Sequence, residues 1–223
     1  MISELSDVVM KDGEVVAVDL ETYDPDLKKH GSGAILSMSD PDKGFVVGIA
    51  LAYGDEKFYF PLNHKKDLFN KTGYAPNYVW KNLNKKIFQN EKVTKVFHNA
   101  MYDVCWIRAV TGKMVKGPIL DTMIAASVID ENRMRYSLDS LAKDYKIGSK
   151  NKYDLEEKAL EDHGISDPMS NMHKLPHSLV KDYAEQDVNL TLKLWNIFEK
   201  IIKTPVKTES KNKKTLENIF NLE

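Results

Sequence analysis

An α/β fold, a mixed β-sheet flanked by helices, is what the sequence predicts, on three observations. Apolar runs of strand length come first in the chain, at residues 15–22, 45–53 and 57–62. A fourth, at 94–97, is separated from them by a segment of helical periodicity. The rest of the chain reads as helix after helix, ending in a long stripe of apolar residues from Val180 to Ile201. Strands that precede and then alternate with helices pack as one sheet covered by helices.

Each element has its own warrant. Val15-Val16-Ala17-Val18-Asp19-Leu20-Glu21-Thr22 is a short Val-rich run and reads as a buried strand. Residues 23–44 carry Pro25, Pro41 and three glycines and read as a loop. The runs 45–53 and 57–62 flank Gly54-Asp55-Glu56, the pattern of a hairpin with a short turn. Pro76, suited to the first turn of a helix, opens a helical stretch to about residue 89, with Val79, Trp80, Leu83, Ile87 and Phe88 at helical spacing. After the strand at 94–97, helices are expected at 100–110, 121–129 and 137–145. Residues 150–176 are polar, with a helix near 155–163. The last long helix, 177–202, places Val180, Tyr183, Ala184, Asp187, Leu190, Thr191, Leu194 and Phe198 on one stripe. Residues 1–202 are therefore expected to form one domain. Residues 203–223 come after it as a basic linker, with five Lys and one Glu between Lys203 and Lys214, and a short amphipathic helix at 216–222.

Composition narrows the function. The 223 residues are 42% hydrophobic and 29% charged, an ordinary globular balance. The net charge of -1 excludes a protein that lives on non-specific phosphate binding. A nucleic-acid partner would need metal ions or local patches, such as the lysines at 113, 116, 150 and 152, although solvated surface is the better reading of most of them. The single cysteine, Cys105, excludes an internal disulfide and a zinc cluster, and its apolar context predicts a packed core thiol. There is no apolar run of about 18 residues and no signal-peptide pattern at the N-terminus, which leads us to expect a soluble, cytoplasmic chain.

Carboxylates stand where burial makes them expensive. Asp19 and Glu21 are two apart on a buried-looking strand and so share a face. Like charges side by side repel unless a cation intervenes, and hard oxygen ligands suit magnesium or manganese; a strand end reaching solvent is the plainer alternative. Asp187 interrupts the apolar stripe of the last helix, four residues after Tyr183. It is either part of a site or a buried Asp bonded to a Tyr hydroxyl or a backbone amide. Asn99 and Asp103 sit where the fourth strand passes into a helix. Helix capping accounts for Asn99 but not for Asp103. Four acidic groups converging suit two divalent ions, which clamp the attacking and leaving oxygens of a phosphoryl displacement.

Taken in order, Asp19-Leu20-Glu21, Asn99-x-x-Tyr102-Asp103 and Tyr183-x-x-x-Asp187 resemble the three motifs of the tyrosine subtype of DEDD 3′→5′ exonucleases. The histidine subtype is excluded, because its position is Asp182. Residues 21–28, 61–64 and 175–187 look like the proofreading domain of bacteriophage family A DNA polymerases. Asp121-Thr122-Met123 and Ser137–Ala142 are similar to that domain's middle helices. His98 departs from the Gln common at its position.

The resemblance implies an RNase H-like fold and a metal-dependent nuclease that releases nucleoside 5′-monophosphates from a single-stranded DNA 3′ end. It implies two Mg2+ or Mn2+ ions, one held by Asp19, Glu21 and Asp187 and one by Asp19 and Asp103, with Tyr183 orienting the water. Leu20, Thr22, Asn99 and Tyr102 carry over as contacts to the terminal nucleotides or supports of the site; core packing is the other reading of Leu20. A polymerase domain, covalently attached or associated, is the implied partner, and a monomer the implied state. An RNase D-like RNA exonuclease and a non-catalytic single-strand-binding or scaffolding module remain alternatives.

Overall fold

The central strand is β1 (Val15–Tyr23). Its even positions Val16, Val18 and Leu20 enter one apolar core and Ala17 enters another on the opposite face, as the two-residue period of a strand requires. The computed structural model describes residues 5–38, 40–64, 75–149, 152–206 and 214–221. β2 (Phe45–Tyr53) and β3 (Glu56–Pro61) extend the sheet on one side of β1 as an antiparallel hairpin. The turn is Gly54–Asp55, and Gly54 takes a φ of 54°, which glycine adopts without strain. β4 (Thr94–Phe97) lies parallel to β1 on the other side. The sheet is mixed, with the order β3-β2-β1-β4-β5.

The fifth strand, β5 (Ile119–Asp121), pairs parallel to β4 and corrects the expectation that Asp121 begins a helix: Asp121 ends the strand, and the helix starts at Thr122. Three residues are too few for a period of two to register. Other boundaries shift little. The helix opened by Pro76 runs as α1 (Pro76–Leu83) and then widens over Asn84–Phe88, where the Gln89 N–H reaches back five residues to Asn84 O at 2.8 Å. The segment read as loop at 23–44 holds two helical turns, Leu27–His30 and Ala34–Ser37. Cys105 is half-buried rather than enclosed in the core.

The helices cover both faces. α2 (Ala100–Thr111) brings Trp106 and Ile107 onto the Val16–Val18–Leu20 face, beside Trp80 and Phe88. α3 (Thr122–Ile129), α4 (Leu138–Asp144) and α5 (Lys152–His163) lie in sequence before α6 (His177–Lys203). α6 packs Val180, Tyr183, Ala184 and Val188 against Ala17, Ala50 and Ala52, whose small side chains let a helix approach the sheet closely. Farther along, Leu190, Leu194, Trp195 and Phe198 join Val96, Ala125 and Leu138 in a third cluster. The apolar face of α6 is thus wider than the expected stripe, since Val188, Trp195 and Ile202 are buried too. A four-residue helix, α7 (Glu217–Phe220), sets Phe220 against Trp195 with ring centroids 5.8 Å apart. Residues 207–213 of the basic linker, Lys150, and the end of the expected tail helix lie outside the described residues. No described helix is long and apolar enough to cross a membrane.

Candidate active site

β1 loses a neighbour halfway along its length. Its pairing with β2 continues to Tyr23, but its pairing with β4 ends at Ala17↔Val96. Past that point α2 begins beside the strand, and Asp103 in its first turn takes over: the Leu20 N–H donates to Asp103 Oδ1 at 3.0 Å. The pairing with β2 is itself irregular between Glu21 and Thr22, a bulge that re-aims the side chains beyond it. Asp19, Glu21 and Asp103 are thereby placed along the edge of β1 that no strand covers.

α6 completes the group from the sheet's Ala17 face. Glu21, Asp103 and Asp187 are 7%, 3% and 4% exposed, and Asp19 is half-buried. Burial pushes the Asp103 carboxyl well above the usual carboxylate range, and the charge of Asp19 adds to it. Burial likewise holds the proton on Tyr183, helped by Asp187, Glu21 and Asp19, and the Tyr183 hydroxyl donates to Asp187. The hydrogen bond offered as one explanation of Asp187 is present, in company with the other carboxylates. The five residues expected to carry the chemistry, Asp19, Glu21, Asp103, Tyr183 and Asp187, therefore act on one another electrostatically in a single buried patch.

The donor set is oxygen only, made of carboxylates and largely buried, which is the chemistry that a hard divalent cation takes. Among the described residues, no three His, Cys, Asp or Glu side chains already form a group that could hold a metal ion. The carboxylates are gathered but not drawn into a coordination shell.

The remaining expected residues divide. Leu20 is 5% exposed on the opposite face of β1, in the core with Trp106, and meets the site only through its N–H. Thr22 and Tyr102 are joined at 2.6 Å. The Tyr102 hydroxyl donates to Asp24 Oδ2 at 3.1 Å, so the Thr22 hydroxyl is the donor to Tyr102. Both border a cleft of about 430 Å³ lined also by Lys28, Glu156 and Met169. Asn99 is exposed and holds the left-handed conformation, φ 72° and ψ 56°. Its side chain makes no cap hydrogen bond, so the capping explanation is corrected. The cap is Asp121, which accepts from the N–H groups of Asn99 at 3.0 Å and Ala100 at 2.7 Å, and from Met123 at 2.8 Å. One carboxylate from the end of β5 thus starts both α2 and α3. His98 Nδ1 donates to Thr122 Oγ1 at 2.8 Å, because the Thr122 hydroxyl hydrogen goes to Phe97 O.

Sequence reasoning gave no role to Asp24, which accepts from Tyr102, or to Asp121. Asp121 carried a signal, an acidic residue just before an apolar helical run, which reads as an N-cap. Asp24 gained its partner only through the tertiary fold.

A mixed five-stranded sheet sandwiched by helices, in the order β3-β2-β1-β4-β5, is an RNase H-like fold. Solved structures agree on the fold. Brucella melitensis NrnC with bound Mg2+ superposes with a TM-score of 0.56 at 19% identity, covering 87% of this chain and 75% of that one. The Trypanosoma brucei RNase D:GMP complex gives 0.59 at 16% identity, covering 93% and 55%. The chain belongs to the 3′-5′ exonuclease family of family A DNA polymerases, whose family model matches residues 1–203. It is similar to DNA polymerase DpoZ of Salmonella phage PMBT28, 31% identical over 183 residues that cover 81% of this chain and 25% of that protein. It is also similar to DNA polymerase I of Borreliella burgdorferi, 25% identical over 203 residues that cover 90% and 19%. The chain thus spans about a fifth to a quarter of the length of these curated relatives.

Proposed function

We propose that this chain is a metal-dependent 3′→5′ exodeoxyribonuclease that shortens single-stranded or frayed DNA from its 3′ end and releases nucleoside 5′-monophosphates. The observation that carries this reading is the convergence of Asp19, Glu21 and Asp187 on Tyr183, with Asp103 acting on Asp19 from α2, in a patch where each buried carboxylate costs free energy unless a cation offsets it. Asp19, Glu21 and Asp187 would hold one divalent ion and Asp19 and Asp103 a second. Such ions supply a water nucleophile at neutral pH and stabilise charge on the leaving 3′ oxygen.

The chain's own groups do the rest. Tyr183 keeps its proton, because burial and three carboxylates push its pKa up. With that single proton given to Asp187, the Tyr183 oxygen orients the attacking water as a hydrogen-bond acceptor and does not deprotonate it. The hydroxyls of Thr22 and Tyr102 are fixed by each other and by Asp24 at the wall of the cleft, where the terminal nucleotide is seated. Asn99, exposed at the start of α2, lies at the approach. Leu20 acts through its backbone, by holding Asp103. Residues 1–202 form the exonuclease unit and 203–223 the connection toward a polymerase domain.

The test is a 5′-labelled single-stranded DNA oligonucleotide incubated with Mg2+, with Mn2+ and with EDTA, beside Asp19→Ala and Asp187→Ala. A metal-dependent ladder from the 3′ end, absent in both variants, is expected. The likeness in fold to RNase D and to RRP6 favours one second reading, an RNA 3′ exonuclease. Cleavage of an RNA oligonucleotide of the same sequence, with DNA left intact, would select it.

A further inference from the structure

Behind the carboxylates, on the far side from the cleft wall formed by Thr22 and Tyr102, stands a second buried tyrosine. Tyr59 is 1% exposed on β3, opposite Ala50. Its ring lies along β2 over Gly48: a Cβ at Gly48 would sit 2.1 Å from Tyr59 Oη and 2.4 Å from Cζ. Gly48 is in turn the cross-strand partner of Glu21. The hydroxyl therefore occupies a space beside Glu21 that only glycine leaves open, and Glu21 and Asp19 both act on it electrostatically. Tyr59 and Tyr183 pack in the same apolar cluster and face the same two acidic residues.

A histidine fixes this tyrosine. His64, 6% exposed, places Nδ1 3.1 Å from Leu175 O and Nε2 2.8 Å from Tyr59 Oη. A carbonyl oxygen only accepts, so Nδ1 carries the proton. Nε2 of the neutral ring then accepts, and the Tyr59 hydroxyl donates to it. Leu175 is two residues before α6 begins. The chain of contacts thus runs from the Glu21 side of the sheet, through Tyr59 and His64, to the entry of the helix that bears Tyr183 and Asp187.

We propose that Tyr59 and His64 are positioning residues of the carboxylate site, fixing the packing beside Glu21 and the start of α6 in the arrangement at which a divalent cation is bound. Neither touches the substrate. The inference rests on the metal-dependent reading of the site given above and adds to it two residues outside the three motifs. Partners that orient ligands from behind typically govern 10–100-fold in metal affinity.

The experiment reads metal binding in two ways, by the Mg2+ concentration for half-maximal cleavage and by the rise in melting temperature on adding Mg2+. Tyr59→Phe keeps every ring contact and removes only the hydroxyl; His64→Leu removes the acceptor; His64→Gln restores an acceptor for the Tyr59 proton. The first two are expected to raise the half-maximal Mg2+ concentration roughly 10-fold and to move the melting response to higher Mg2+ in parallel. His64→Gln is expected to fall nearer wild type. A pair that merely supports the fold would lower the melting temperature of the metal-free protein and leave both metal midpoints where they are, and that result overturns the assignment. Wild-type protein with neither metal-dependent cleavage nor a metal-induced shift would overturn the functional reading itself, and this inference with it.

Discussion

Tyr183 and Asp187 are one turn apart on α6, both buried, and hydrogen-bonded to each other. With its proton given to Asp187, Tyr183 can accept a hydrogen bond from a water but cannot take a proton from it. Tyr183→Phe is therefore expected to slow turnover roughly 100-fold, the usual worth of one oriented hydrogen bond, while the metal-induced rise in melting temperature stays; a turnover assay beside a thermal melt checks both. Asp103 makes the opposite case. Its pKa is raised by burial and by Asp19, so the metal-free protein bears a cost whenever it ionises. Asp103→Asn keeps an oxygen for the Leu20 N–H and removes the repulsion. We expect it to raise the stability of the metal-free protein by about 1–2 kcal/mol, roughly 2–8 °C in Tm, and to abolish cleavage. These residues were legible in the sequence because each violates a pattern: a carboxylate in a Val-rich run, another in a helical apolar stripe. Tyr59 and His64 violate none. Tyr59 alternates correctly within its strand, and the partner that fixes its neighbour lies 111 residues farther on.

Two elements owe their placement to a single buried polar side chain. Desolvation lowers the His64 pKa from 6.5 to about 4, so the folded protein binds fewer protons than the unfolded chain between those values. The stability that His64 contributes is then fully present above pH 6.5 and is lost as pH falls toward 4, about 3 kcal/mol in all. Urea unfolding between pH 7 and pH 4.5 should show that slope, and His64→Leu should flatten it. Lys95, within β4, is fully buried, and its ammonium donates to Asn90 O at 2.6 Å, to Val93 O at 2.8 Å and to Lys116 O. It thereby ties the turn before β4 to the approach to β5. Lys95→Met fills similar space but strands three carbonyls, and a loss of about 2–4 kcal/mol in equilibrium denaturation is expected, with cleavage intact below the melting transition. Elements with long periodic patterns, α6 above all, could be read from the chain. β5 could not, because three residues find their strand identity only through pairing with β4.

For the whole molecule, a net charge of -1 and a buried acidic patch mean that phosphate is not attracted by the bare protein. The ions that the proposed chemistry calls for would also neutralise the surface on which a nucleic-acid strand would lie. Mg2+ at about 100 times its dissociation constant should stabilise the fold by about 2.7 kcal/mol, or roughly 5–11 °C in Tm, and EDTA should reverse it. Differential scanning fluorimetry over a metal series tests this without any substrate. The architecture as a whole was legible as a mixed sheet covered by helices. The splaying of β4 from β1 was not, since it results from where pairing stops rather than from which residues are apolar.

The Gly54–Asp55 turn lies at the opposite end of the sheet from these carboxylates. Glu21 pairs with Gly48, and five residues of β2 lie between Gly48 and Gly54, about 20 Å along the strand. A fluorophore or a short peptide grafted between Gly54 and Asp55 would ride on the molecule as a reporter, remote from the carboxylate site. The exonuclease unit could then be tethered to a surface or followed one molecule at a time, with its cleft left facing solution.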